Sequence, residues 1–438
     1  PDCFGVIGFA REVSTILGEK FSTPDWLKDI NTCPNADEDN VKLGVKIDDQ
    51  KLSPRYLAVV MSDANQAAKS SLSIQTYLSR SGIRPISAIV DVTNYLMLLT
   101  GQPLHAFDYD KLVAICGDDV DIHVRAAHAG EELELLDGKT IKLATSDIVI
   151  AAGDTPVALA GAMGGASTAI DENTTRIVIE SASFNLYNLR GTQMRHGIFS
   201  EAITRFTKGQ PAELTLPVIR QAMQMVVDLT GAKQISNIVE DYPGKTTPKT
   251  LKISTEKINK ILGTSFSTED TRELFARSEL NVLSSNGCEL DILVPYWRSD
   301  ISIIEDFAEE IGRITGFDNI PPTLPKRDFV AVAPSDFDVF RAKLRDLLSR
   351  SGANEVLSYS FIHGDILKKA GLNVENSYKL VNSISPELQY YRQSLTPSML
   401  TLAYMNSKQG FDKFAIYEIN RVHNKLAGTN DEGVPFES

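Results

Sequence analysis

Hydrophobic positions recur along this chain in two rhythms. Between residues 56 and 235, short apolar runs (AIVDVTNYLMLL, DIHVRAA, DIVIAAG, TPVALAGA and RIVIESA) are separated by turn signals such as Asp137-Gly138, a pattern that predicts strands. Helical spacing predicts helices in FAREVSTILGEKF and in ELTLPVIRQAMQMVVDLTG, where Gly231 supplies a stop. In FSTEDTRELFARSEL, Ser267 is a candidate cap, with Asp270 at the third helical position, where a full capping box holds Glu or Gln. DVFRAKLRDLLSRSG reads as an amphipathic helix, and EVLSYSFIH, YKLVNSI and FAIYEINRVH read as strands. Two Pro- and Gly-bearing breaks, YPGKTTPKT and PPTLPKRDFVAVAPS, interrupt the order. The expected organisation is a leftover edge of a larger domain at 1–55, an α+β domain at 56–240, a small domain at 241–326 and a further module at 327–438.

Composition narrows the class. With 438 residues, 42% hydrophobic and 23% charged, the chain reads as a multidomain globular protein. Its longest apolar stretch, DIVIAAGDTPVALAGAMGGA, is broken by Asp154 and glycines and does not read as a membrane span. No targeting peptide is visible, and the opening PDCFGVIGFARE reads as the interior of a longer cytosolic protein. Four cysteines, Cys3, Cys33, Cys116 and Cys288, contain no CxxC pair, which argues against a zinc site or a secreted disulfide framework. A net charge of -13 argues against broad phosphate-backbone binding, so any RNA contact is expected to be local or shared.

Several residue sets have chemical potential, each with a plain alternative. In SDISIIEDFAEEIGRITGF, Ser302 and Glu305 fit a capping box, and Ile304, Phe307, Ala308, Ile311 and Ile314 form an apolar stripe. Asp306, Glu309 and Glu310 share the other face, with Asp300 just before it: hard oxygen ligands for magnesium, or a solvated acidic surface. His105 between Leu and Ala fits a core histidine as well as a functional one. Glu180 closes the apolar run RIVIE, which fits a strand running out into solvent, and GAMGG is no dinucleotide fingerprint. No Ser-His-Asp or Cys-His arrangement is evident.

Taken together, PDCFGVIGFARE, SGIRPISAIVDVTNYLMLLTGQPLHAFDYDKL, AGAMGGASTAIDENTTRIVIESASF, SEAITRF and WRSDISIIEDFAEEIGRITGFDNIPPTLP resemble, in the same order, the β subunit of bacterial phenylalanyl-tRNA synthetases. The resemblance implies a mixed α/β B3/B4 editing domain, a small B5 domain and the first part of an inactive, class II synthetase-like antiparallel module. The family's N-terminal tRNA-binding insertion and C-terminal anticodon-binding domain have no counterpart here. It also implies an α2β2 assembly with a catalytic α subunit, binding of the tRNA for phenylalanine, a cytoplasmic location, and ATP used by the holoenzyme but not bound by this chain.

Carried over residue by residue, the editing positions fall on His105 and Glu180 as catalytic groups and on Arg84, Gly164, Ser200 and Ala202 as substrate-binding ones. Glu180 is expected to accept the phenolic hydroxyl of a mischarged tyrosine, and Gly164 and Ala202 to leave room for its ring. The family's shared magnesium site matches Asp300, Asp306, Glu309 and Glu310. Two departures stand out: Ile203 replaces a hydroxyl residue and Thr207 a carboxylate. Arg392 and Arg421 are candidates for core or interface ion pairs. The competing reading is a nonenzymatic RNA-binding or assembly module.

Overall fold

Strands arise where apolar side chains alternate or run continuously: β1 (Lys42–Ile47), β2 (Arg55–Ser62), β3 (Leu104–Asp108), β4 (Asp119–Ala126), β5 (Glu132–Glu134), β6 (Thr140–Lys142), β7 (Ile148–Ala152), β8 (Thr155–Leu159), β9 (Met163–Gly164), β10 (Ile177–Ser183), β11 (Lys233–Gln234) and β12 (Val239–Asp241). Interleaved with them are helices α1 (Val6–Leu17), α2 (Asp25–Lys28), α3 (Leu72–Arg80), α4 (Ala88–Thr100), α5 (Tyr109–Cys116), α6 (Leu186–His196), α7 (Glu201–Phe206) and α8 (Thr215–Thr230). The computed structural model describes all residues except 37–40, 118 and 246.

Two sheets face one another. The first has the order β1-β4-β7-β8-β9, with β1 parallel to β4 and the other pairings antiparallel. The second, antiparallel throughout, has the order β11-β2-β10-β3, with β12 also on β2. Strand β10 lies between β2 and β3 and is buried along its whole length. Its side chains alternate between two cores. Val178 and Ala182 join Val124, Ile150 and Leu159 between the sheets, whereas Ile177 and Ile179 pack with Val92 and Leu96 of α4 and Ala222 of α8. Glu180 lies on the face that points between the sheets. A strand covered on both faces reads as a continuous apolar run, and a carboxyl within it stands out.

One expectation needs correction. AIVDVTNYLMLL is helix α4, not a strand. Ser87 caps it by accepting from the Val90 amide at 3.4 Å, Gly101 closes it at φ 84°, and Asp91 in its first turn accepts from the Ile86 amide at 2.8 Å. Beside the buried stripe of Ile89, Val92, Leu96 and Met97, the apolar Val90, Tyr95, Leu98 and Leu99 are half-buried on the other faces, so the helical period is masked. Residues 1–55 pack into the same unit as the residues that follow. Strand β1 completes the first sheet, and in α1 the buried Arg11 donates to Glu279 at 2.6 Å and to Thr23 at 2.8 Å, which ties the opening helix to the small domain.

In that domain an antiparallel sheet of β13 (Lys249–Ser254), β14 (Asn281–Asn286) and β15 (Glu289–Val294) packs with α9 (Thr255–Leu262), α10 (Thr268–Arg277) and α11 (Ile304–Thr315) around Phe275, Ile292 and Phe307. Ser267 and Asp270 form a complete capping box on α10, Asp serving where a longer acid is usual. All these elements lie within one compact unit, Pro1–Leu324.

The second unit, Pro325–Ser438, carries helices Asp336–Arg350, Gly364–Lys369 and Thr396–Lys408. The strands expected there shrink to two-residue pairings, Asn354–Glu355 with Ile416–Tyr417 in parallel and Phe361–Ile362 with Tyr390–Tyr391 antiparallel. YKLVNSI contributes only the bridge between Lys379 and Tyr390. No described helix is long and apolar enough to cross a membrane.

Candidate active site

Glu180 of β10 pairs directly with His105 of β3. Antiparallel partners project to the same side of a sheet, with Cβ atoms about 4.5–5.5 Å apart. Both side chains reach a cavity of about 110 Å³ whose other walls are Pro103, Leu104, Ile150, Ala158, Leu159, Gly161, Ala162, Met163, Gly164, Ala202 and Phe206. An apolar cavity of about 150 Å³ takes up benzene, so this one has the size of a single aromatic ring. His105 and Glu180 are its only polar side chains among the described residues.

The space exists because two residues are small where they must be. A Cβ built on Gly164 would stand 2.6 Å from His105 Cε1 and 2.8 Å from its Nε2, so only glycine lets the imidazole lie against β9. Ala202 sits on α7, and Ser200 positions that helix: its hydroxyl donates to the Ala162 carbonyl at 2.7 Å and accepts from the Ile203 amide at 3.2 Å. Ser200 is therefore the N-cap that clamps α7 to the cavity wall and does not line the cavity itself. Arg84 also stands apart, exposed in the loop before α4 and absent from the lining. Ile203, where the family has a hydroxyl, is fully buried in the core between the sheets.

Burial sets the electrostatics. Glu180 is 5% exposed, and desolvation pushes its carboxyl up to about 8, opposed only by the neighbouring Tyr56 hydroxyl. That hydroxyl acts on the Glu180 charge without a well-formed hydrogen bond: both it and Glu180 Oε2 lack a partner. His105 is enclosed by protein but keeps part of its surface on the cavity, and desolvation lowers it to about 4. Its ring meets Phe107 edge-on at 4.5 Å. At neutral pH the site therefore holds a mostly protonated carboxyl and a neutral imidazole. This amends the expectation of a carboxylate at Glu180. Tyr56, which opens the run RYLAVVM, carried no sequence signal distinguishing it from core.

The raised carboxyl has a measurable consequence. Above about pH 4.5 the unfolded chain releases the Glu180 proton while the folded chain keeps it until about pH 8, so this group lowers stability as pH rises across that window. Glu180→Gln is expected to raise the melting temperature of the first unit at pH 8 and to leave it unchanged near pH 4.5. Equal shifts at both pH values would contradict the burial argument.

The acidic helix is arranged differently from its expected role. Helix α11 starts one residue later than Ser302 and Glu305 implied: Asp306, not Glu305, takes the backbone amides of Ser302 at 2.6 Å and Ile303 at 2.9 Å. Those bonds hold the Asp306 carboxyl below its usual range. Glu310 is buried and receives both Arg298 Nη atoms at 2.8 Å, while Asp300 takes Arg298 Nε at 2.9 Å and Nη2 at 2.6 Å. Glu309 is exposed. Among the described residues no three acids, histidines or cysteines of this chain converge as metal ligands. A guanidinium already neutralises two of the four expected ligands, Asp300 and Glu310.

Family models match the chain in three stretches: the B3/4 domain at residues 52–231, the tRNA synthetase B5 domain at 251–317 and the phenylalanyl tRNA synthetase beta chain CLM domain at 320–435. Among curated relatives, the phenylalanine–tRNA ligase beta subunit of Carboxydothermus hydrogenoformans is 33% identical over 100% of this chain and 53% of its own length. That of Anaeromyxobacter dehalogenans is 34% identical over 100% of this chain and 54% of its own. The chain thus spans about half the length of the relatives it matches. A solved N-terminal fragment of the phenylalanyl-tRNA synthetase beta subunit from Pyrococcus horikoshii aligns over 71% of this chain and 82% of its own, at 15% identity and a TM-score of 0.36. With the B3/4, B5 and CLM domains in sequence, and with relatives of one name along its whole length, the chain belongs to the phenylalanyl-tRNA synthetase β-subunit family.

Proposed function

We propose that the cavity between His105 and Glu180 is a hydrolytic editing site that removes tyrosine from the tRNA for phenylalanine. The chain then serves as the β subunit of a cytoplasmic phenylalanine–tRNA ligase, assembled with an α subunit that performs the ATP-dependent attachment. The observation that carries this reading is that His105, Gly164, Glu180 and Ala202, chosen from separate motifs, line one ring-sized cavity.

Its chemistry follows from what lines it. A tyrosine ring fills the apolar space and brings its hydroxyl to the Glu180 carboxyl, whose buried Oε2 has no hydrogen-bond partner in the protein. A phenylalanine ring leaves that buried carboxyl unpaired, at a cost of about 1–3 kcal/mol, or about 5- to 150-fold in selectivity. The discrimination runs opposite to that of the amino-acid pocket it corrects, which rejects an added hydroxyl poorly. No serine, cysteine, threonine or lysine lines the cavity among the described residues, so water attacks the ester carbonyl directly. The ribose oxygen leaves with a proton, and the products are tyrosine and free tRNA. His105, neutral at physiological pH, holds the water or the ester by donating from one ring nitrogen and accepting at the other.

Deacylation of tyrosyl-tRNA by the full-length protein with its partner tests the reading. Glu180→Ala and Ala202→Trp, which fills the cavity, are each expected to reduce hydrolysis at least tenfold. A wild type that binds tRNA but hydrolyses nothing would favour the RNA-binding or assembly role.

A further inference from the structure

Beside the cavity lies a surface with a different character from the rest of the chain. From Ser181 to Ser200 there is no Asp or Glu, although the chain as a whole carries a net charge of -13. Helix α6 occupies the middle of this stretch and turns Leu189 and Thr192 into the core. His196 and Arg195 both bond the buried Asp147 beneath the helix, His196 at 2.8 Å. The outward face then presents Tyr187, Arg190 and Met194 at helical spacing, with Tyr187 76% and Met194 73% exposed. Arg190 has no ion-pair partner among the described residues. Just beyond the helix, Phe199 is 71% exposed. It immediately precedes Ser200, whose hydroxyl is fixed to the Ala162 carbonyl in the cavity wall. The nearest following carboxylate, Glu201, is paired with Arg205.

We infer that Phe199 and the outer face of α6 form a stacking surface for the unpaired 3′ end of the tRNA, leading its esterified terminus to the cavity. This rests on the editing reading for the identity of the ligand. Exposed aromatic side chains interleaved with unpaired arginine, on a face free of carboxylates, are what single-stranded RNA requires: π-faces for the bases and positive charge for the phosphates. A protein partner would be served by the aromatics, but gains nothing specific from the missing acids. The location supplies the second argument, because Phe199 is covalently adjacent to the residue that clamps α7 and Ala202 against the pocket.

The test measures binding, not hydrolysis, so it separates from the editing assay. The probe is a labelled RNA hairpin ending in four unpaired 3′ nucleotides, titrated by fluorescence anisotropy into the full-length protein with its partner subunit. The double variant Tyr187→Ala, Phe199→Ala is expected to bind about tenfold more weakly, the loss of about one base–aromatic stack. Arg190→Glu is expected to weaken binding and to flatten its salt dependence. Trimming the unpaired nucleotides should erase the difference between variant and wild type. All these side chains are exposed, so melting temperatures should not move. Unchanged RNA affinity in the double variant overturns the inference, and so does loss of subunit association with RNA affinity intact, which would make the face a protein interface. Absence of hydrolysis with Phe199-dependent RNA binding would sink the editing site and leave this surface standing.

Discussion

Alanine in place of Gly164 is expected to lower tyrosyl-tRNA deacylation at least tenfold while leaving the fold intact. The added Cβ would fall 2.6 Å from His105 Cε1 and 2.8 Å from its Nε2, closer than real Cβ atoms approach their neighbours, with Leu136 Cδ1 in tight contact at 3.0 Å. Strand β9 cannot retreat easily, because the Gly165 amide bonds the Val157 carbonyl at 2.9 Å and the Leu136 amide bonds the Gly164 carbonyl at 3.0 Å. The imidazole must therefore rotate into the cavity, and the cavity has only about 110 Å³ to give. A displacement of about 1 Å in a positioning group costs on the order of a hundredfold in rate. Kinetics should show the loss in kcat and KM together, since the same movement fills the ring space and misplaces His105. Full activity in Gly164→Ala would show that the imidazole does not need its present position.

The second large effect lies in the other unit. Arg392 and Glu418 form an ion pair at 3.1 Å with neither side chain exposed. Around them, Arg392 donates to Ser358 Oγ at 2.7 Å and to the Arg421 carbonyl at 3.2 Å, and Glu418 accepts from Asn420 at 2.9 Å. Of the two arginines singled out in the sequence, Arg392 is thus a core partner, whereas Arg421 makes an exposed pair with Glu437. Removing one member of a buried pair strands the other charge and costs about 3–5 kcal/mol. Arg392→Ala and Glu418→Ala should each destabilise the Pro325–Ser438 unit by that amount in denaturant titrations. The paired replacement Arg392→Met, Glu418→Leu should recover most of it, because no buried charge remains. Single variants within about 1 kcal/mol of the wild type would show that the pair is solvated in solution.

Some of this was legible in the sequence for identifiable reasons. Helix α8 showed its apolar stripe and its terminal Gly231, and β10 showed a continuous apolar run, because both patterns are local. Glu180 read equally well as the strand's exit into solvent, because the sequence does not show that SAS after it stays buried between β2 and β3. The misreadings share a cause. Helix α4 is buried on too much of its circumference to display a period, and the start of α11 is decided by which acid reaches two amides, a matter of geometry that Glu305 and Asp306 satisfy equally well on paper. Ser200 matched a binding position by type, yet its hydroxyl is consumed by capping. The four acids of 300–310 had the spacing of ligands, but spacing does not reveal that Arg298, two residues before Asp300, reaches two of them.

The central claim is that a phenolic hydroxyl is read by a buried carboxyl at Glu180. The most direct measurement compares wild-type deacylation of tRNA charged with tyrosine and with phenylalanine, side by side from pH 6.5 to 9. Burial pushes the Glu180 carboxyl up to about 8, and an ionised carboxylate tolerates an apolar ring less well than a protonated one, while a phenol can still donate to it. The account predicts a preference for the tyrosyl ester of about tenfold at pH 7 that widens as pH passes 8, and a flat, small preference in Glu180→Gln. Equal rates for the two esters across the whole range would contradict it.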